Sequence, residues 1–159
     1  MNKKLAKQII EMHNVDQDLR TQAPKKIATE LINYVVYAID EIHNSRIRRI
    51  IAEYGFPTTN LVGREAMSAF WLLIQHQDYD LKLQQESLEK CDFILSEKAL
   101  LMDRILINKG EKQIYGTQTR RMETGFEPFP IKNEDGVDKR RKSVGLSSLE
   151  DYMRERNSQ

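Results

Sequence analysis

Residues 99–107 read ALLMDRILI, an apolar run broken only by an aspartate and an arginine side by side. No other stretch restricts the fold as tightly. A helix that is apolar on all sides is normally buried, and a buried charge survives only when it is paired or hydrogen-bonded. Neighbours at i and i+1 point in different directions on a helix, so Asp103 and Arg104 cannot satisfy each other. Each must find partners elsewhere in the chain. We expect Asp103 to meet polar positions on the inner faces of other helices, with His76 foremost and the YGTQ segment (115–118) next. Arg104, about 100° further round the helix, is expected to reach the C-terminal tail or Asp16.

A second run, EAMSAFWLLI (65–74), is also apolar all round and predicts the central buried helix. Before it, Leu5, Ile9, Met12 and Leu19 mark one face of a helix over residues 2–22, ended by Pro24. A long helical pattern follows from Lys25 to Tyr54, with Gly55 as C-cap and Pro57 beyond it. The TTN at 58–60 reads as a loop with capping residues. Two more helices are expected at 81–95 and 97–108, the latter with Ser96 as N-cap and Gly110 as its stop.

After Gly110, KQIYGTQTRR alternates and FEPFPI is held extended by its prolines, which predicts a short hairpin. VDKRRKSVG suggests one or two helical turns ending at Gly145. Ser147 and Glu150 are spaced as a capping box for a last short helix. The fold expected is mainly α: a single-domain bundle of about five helices, residues 1–110, with a small β-hairpin and docked C-terminal tail over 111–159.

Composition excludes several classes of function. The chain has 159 residues, enough for one core, with 40% apolar and 31% charged residues and a net charge of +1. No global field is present to attract nucleic acid or an anionic membrane. No apolar run approaches the ~20 residues of a membrane-spanning helix. MNKKLAKQII lacks the apolar stretch of a signal peptide, and Cys91 is alone, so no internal disulfide forms and a cytoplasmic setting is expected.

The break seen at Asp103 recurs. Asp16 falls in the register of Leu5, Ile9, Met12 and Leu19. Asp40 and His43 interrupt the register of Val36, Ile47, Ile50 and Tyr54, with Asn44 on a neighbouring edge. The central helix runs directly into Gln75 and His76. Four helices thus each bring a polar group to an inward stripe, which points to one shared polar cluster inside the bundle.

Several segments carry a resemblance. DQDLR (16–20), YGFP (54–57), LVG (61–63), QH (75–76), DR (103–104), QIYGTQ (113–118) and VDKRRKSVGLSSL (137–149) resemble, in this order and over nearly the whole chain, the bacterial domain-of-unknown-function family 6624. Gly55-Phe56-Pro57 stands where that family has GWP, and His76, Asp78 and Asp80 form its HxDxD piece. The resemblance carries no activity. It implies that Asp16, Gln17, Arg20, Gln75, His76, Asp103, Arg104, Tyr115, Gln118, Asp138, Arg140 and Arg141 occupy signature positions.

These residue types suit acid–base chemistry on a small anionic ligand. His76 titrates naturally near neutrality and is the candidate general base or acid. Asp103 or Asp16 could orient its imidazole, and Tyr115 could donate a proton or support an oxyanion. Arg104, Arg140, Arg141 and Arg20 offer planar forks for a carboxylate or phosphate, and Gln75, Gln118 and Asp16 complete a polar binding surface. A metal is not expected: His76 and Asp80 stand at i, i+4 and His43 faces them, yet no HExxH or ExxH pair occurs. No cofactor is expected either, because glycine-rich phosphate loops are absent. Against the enzyme stands a non-catalytic binding or interaction module, such as an immunity or accessory protein, whose buried polar cluster only fixes the fold.

Overall fold

The computed structural model describes residues 1–22 and 29–158, so Pro24, expected to end the first helix, and Lys25, expected to begin the second, lie outside the described residues. The chain is mainly helical, with one antiparallel hairpin. It divides into two compact units, Met1–Phe93 and Ile94–Gln159. The helix expected at 97–108 therefore groups with the hairpin and tail.

The first unit contains α1 (Lys3–Gln22), α2 (Thr29–Tyr54), α3 (Thr59–Val62), α4 (Arg64–Gln75) and α5 (Leu81–Lys90). Its core follows the periodicity: Leu5, Ile9, Met12 and Asp16 are buried along α1, and Asp40, His43, Ile47 and Ile50 along α2. On α4, Met67, Phe70, Leu73 and Ile74 have no exposed surface, as an all-round apolar helix requires. Local polar groups set the ends. Asn2 accepts from the Leu5 N–H at 3.0 Å. Thr58 caps α3, and Asp80 accepts from the Leu83 N–H at 3.1 Å to cap α5. Four-residue α3 appears where a loop was expected, because Thr58 supplies the cap and the Asp92 carboxylate takes the Thr59 N–H.

The second unit contains α6 (Leu95–Asn108), β1 (Thr119–Met122), β2 (Gly125–Pro128), α7 (Val137–Ser143) and α8 (Leu149–Asn157). Thr119 pairs with Pro128 and Met122 with Gly125, so the hairpin is shorter than expected. Residues 113–118 form no strand but a fixed loop, tied by a single bridge from Gln113 to Ile131. Two expected caps shift. The N-cap of α6 is Ile94, whose N–H donates to Glu97, and not Ser96. Ser148, not Ser147, caps α8 through the Asp151 N–H, and the Ser147 carbonyl accepts from Arg141. Among the described residues no helix is long and apolar enough to cross a membrane.

Candidate functional site

The residues singled out from the sequence fall into two groups, one in each unit. In the second, the buried Asp103 carboxylate does not turn to an imidazole. It accepts from the backbone N–H groups of Ile114 (2.7 Å), Tyr115 (3.1 Å) and Thr117 (3.0 Å), and from the Thr117 hydroxyl at 3.0 Å. Of its two expected partners, the YGTQ segment is the one it serves. The carbonyls of the same loop are taken by arginines. Arg140 donates to the carbonyls of Ile114, Lys132 and Asn133. Arg141 donates to Ser147 (2.6 Å) and Tyr115 (2.7 Å), and it stacks beneath the Tyr152 ring. Gln113 is fully buried and bonds the loop across itself, accepting from the Gln118 N–H and donating to the Gln118 and Phe129 carbonyls. The Tyr152 hydroxyl donates to the Thr117 carbonyl.

Nearly all of these bonds go to backbone. The carbonyls of residues 113–118 and the N–H groups of Gln113, Ile114, Tyr115, Thr117 and Gln118 are answered, as a largely buried irregular segment demands. Gly116 sits at φ +70°, and a Cβ there would lie 2.8 Å from Ile131 and 2.9 Å from Leu149. Asp103, Arg140 and Arg141 thus serve as loop clamps, where anion-binding and imidazole-orienting roles were expected of them. Tyr115 contributes its backbone to the clamp and keeps a half-buried side chain. Gln118 points its amide at the Thr117 hydroxyl. Arg104 is half-buried on α6.

The first unit holds the other group, built from side chains that meet side chains. Asp16 is buried on α1, and its carboxylate faces the His76 Nδ1 at 2.9–3.0 Å. His76 is the C-cap of α4, so the helix end fixes its backbone while 16% of the side chain stays open to solvent. Arg20, one turn after Asp16, donates through Nε to Asp16 at 3.0 Å and through Nη2 to Asp40 on α2 at 2.5 Å. Gln17 adds a bond to Asp16 at 2.8 Å. Among the described residues, neither the His76 Nε2 nor the Arg20 Nη1 meets a hydrogen-bond partner.

The electrostatics separate the two carboxylates. Burial opposes ionisation of Asp16, but the bonds from His76, Gln17 and Arg20 win and hold it well below the usual carboxylate range. For Asp40 burial wins over the Arg20 ion pair, and its carboxyl is pushed up. His43, one turn from Asp40 and 3% exposed, has an unpartnered Nδ1 and is pushed down by burial, with Asp16, Arg46, Arg20 and His76 acting on it.

Asp80 was considered with His76 as a metal pair, but it is occupied otherwise: it accepts from Asn44 at 2.8 Å, pairs with Arg48, and caps α5. The groups whose donor atoms do converge, all within 4.8 Å of one another, are Asp16, Asp40 and His76. Gln75 is buried, with its Nε2 unpartnered. Two contributors were missed as site residues. Asp40 broke the α2 stripe visibly, but the resemblance did not include it. Gln84, fully buried, donates to the Ile74 and Gln75 carbonyls just before His76. Its signal was its place beside Leu83 and one turn before Ser87 on a stripe that is also buried.

No curated protein and no solved structure matches the chain. A family match spans residues 3–158, and the chain belongs to that family, the family of unknown function DUF6624.

Proposed function

We propose that the protein is a hydrolase- or transferase-like enzyme that performs acid–base chemistry on a small anionic substrate in its first unit. His76 carries the proton. The observation that supports this reading is the Asp16–His76 pair, 2.9–3.0 Å between the carboxylate and Nδ1, at a partly open helix end. With Nδ1–H donated to Asp16, the neutral imidazole presents the lone pair of Nε2 as a base. Once Nε2 is protonated, the buried negative charge stabilises the imidazolium. Arg20 spends Nε and Nη2 on the two carboxylates, and its Nη1 is the donor left for a substrate anion.

The alternative, a binding module with a structural polar cluster, draws its support from the second unit, where every polar side chain in the clamp serves the backbone. A cytoplasmic setting suits the single, buried, free Cys91.

The test is a turnover screen of phosphate and carboxylate esters with the full chain. His76→Gln should lower any turnover by about 100-fold or more, and Asp16→Asn should lower it while leaving the fold intact. Turnover that is indifferent to both substitutions would sink the proposal.

A further inference from the structure

We propose that Asp16, Asp40 and His76 form a binding site for a divalent transition-metal ion, which enters by displacing the Arg20 guanidinium. When bound, it withdraws His76 from proton chemistry. The site itself stands on geometry alone; only its regulatory consequence rests on the acid–base reading above.

Three elements supply one donor each: α1, α2 and the C-cap of α4. The chemistry is two carboxylate oxygens and one imidazole nitrogen, a set that suits zinc or cobalt better than the oxygen-seeking magnesium or calcium. The donor atoms lie within 4.8 Å of one another, whereas ligands of a tetrahedral zinc are about 3.3 Å apart. The Arg20 guanidinium bridges Asp16 and Asp40 where the ion would sit. Arg20 is already a cation bound by two of the three ligands, so the site selects for positive charge. A divalent ion would neutralise both carboxylates, where the single charge of Arg20 answers one. Arg20 can leave, because 27% of its side chain is exposed.

A second observation points to a ligand independently. His43 is 3% exposed, its Nδ1 has no hydrogen-bond partner, and the charges of Asp16, Arg20 and His76 act on it. His43 is thus a buried imidazole with an unanswered nitrogen among the described residues, within electrostatic reach of Asp16, His76 and Arg20. Ligand exchange at the cluster would change the charge it faces.

The experiment titrates metal-free full-length protein with Zn²⁺ by calorimetry and with Co²⁺ by visible absorption, with excess Mg²⁺ present. Wild type should bind one Zn²⁺ or Co²⁺, with cobalt bands of low coordination number. Arg20→Met should bind about tenfold more tightly, since one competing unit charge is gone, and its thermal unfolding should rise with added Zn²⁺. Asp40→Asn and His76→Gln should each weaken binding at least about tenfold. If His76→Gln fails to fold, Asp40→Asn and Arg20→Met decide. No binding by wild type and Arg20→Met overturns the proposal. So does binding unchanged in Asp40→Asn, or no tighter in Arg20→Met. Loss of the metal site leaves the turnover screen untouched, and a turnover indifferent to His76 leaves the metal titration untouched, so the two readings fail separately.

Discussion

The two polar clusters use the same residue types for opposite ends. Around residues 113–118, one aspartate, two arginines, one glutamine and one tyrosine all point at backbone N–H and C=O groups. Around His76, an aspartate, an arginine and a second aspartate point at one another, and one imidazole nitrogen meets no partner among the described residues. A side chain bound to backbone fixes conformation and has little left to give. A side chain bound to side chains at a partly open helix end holds charge in place and can still exchange it. Which atoms a buried charge touches, rather than its burial, distinguishes the two clusters.

The sharpest way to break that contrast is to remove the clamp. Asp103→Ala leaves three backbone amides and a hydroxyl without their acceptor, and should cost about 2–4 kcal/mol in urea unfolding. An unchanged midpoint would mean that the loop finds water instead. Arg141→Met removes the guanidinium from the Tyr152 ring and orphans the Tyr115 and Ser147 carbonyls. It should cost about 1–3 kcal/mol, measured by the same unfolding. Gly116→Ala should cost a similar amount, because it combines a left-handed backbone with a close approach to Ile131 and Leu149.

The first unit should respond less in stability and more in chemistry. His76→Gln should shift unfolding by no more than about 1 kcal/mol, far less than Asp103→Ala. A loss as large as that of Asp103→Ala would make His76 another structural clamp.

Asp80 gives the smallest effect and a sign that can be checked. Burial raises its pKa, but Asn44, the Leu83 N–H and Arg48 outweigh burial and depress it. A depressed folded-state pKa contributes stability above the unfolded value, about 3.9, and loses it as pH falls through the folded value. Asp80→Asn keeps a capping side chain but loses the charge, so it should cost about 0.5–1 kcal/mol near neutrality, because Arg48 is half exposed. The difference from wild type should vanish as pH drops below that window. A difference that persists in acid would assign the effect to packing.

Much of the helical frame was legible because burial is periodic. Leu5, Ile9, Met12 and Asp16, and Asp40, His43, Ile47 and Ile50, are buried as their registers require, while Leu19 and Val36 are half-buried and Tyr54, at the end of its helix, is exposed; Asp103 is fully buried as its apolar surroundings demand. Partner choice was not legible. Periodicity says that Asp103 faces inward but not whether a side chain or a bare amide waits there. Backbone N–H groups are identical in every sequence, so a clamp leaves no compositional trace. The grouping of α6 with the hairpin was hidden for the same reason, since Asp103 meets the loop through three backbone amides and only one side chain, the Thr117 hydroxyl. Caps shifted by one or two residues: the Ser148 hydroxyl, not that of Ser147, takes the Asp151 N–H, and the Glu97 side chain takes the Ile94 N–H two residues before Ser96.

The protonation pattern of one imidazole distinguishes a poised pair from a structural one most directly. In nitrogen-15-labelled full-length protein, the ring nitrogens of neutral His76 should show Nδ1 carrying the proton, shifted by its bond to Asp16, and Nε2 bare. Asp16→Asn should abolish that preference, and Asp103→Asn should leave it alone if the chain stays folded. A wild-type imidazole protonated on Nε2, or a pattern indifferent to Asp16→Asn, would contradict the claim that this pair is held ready for proton transfer.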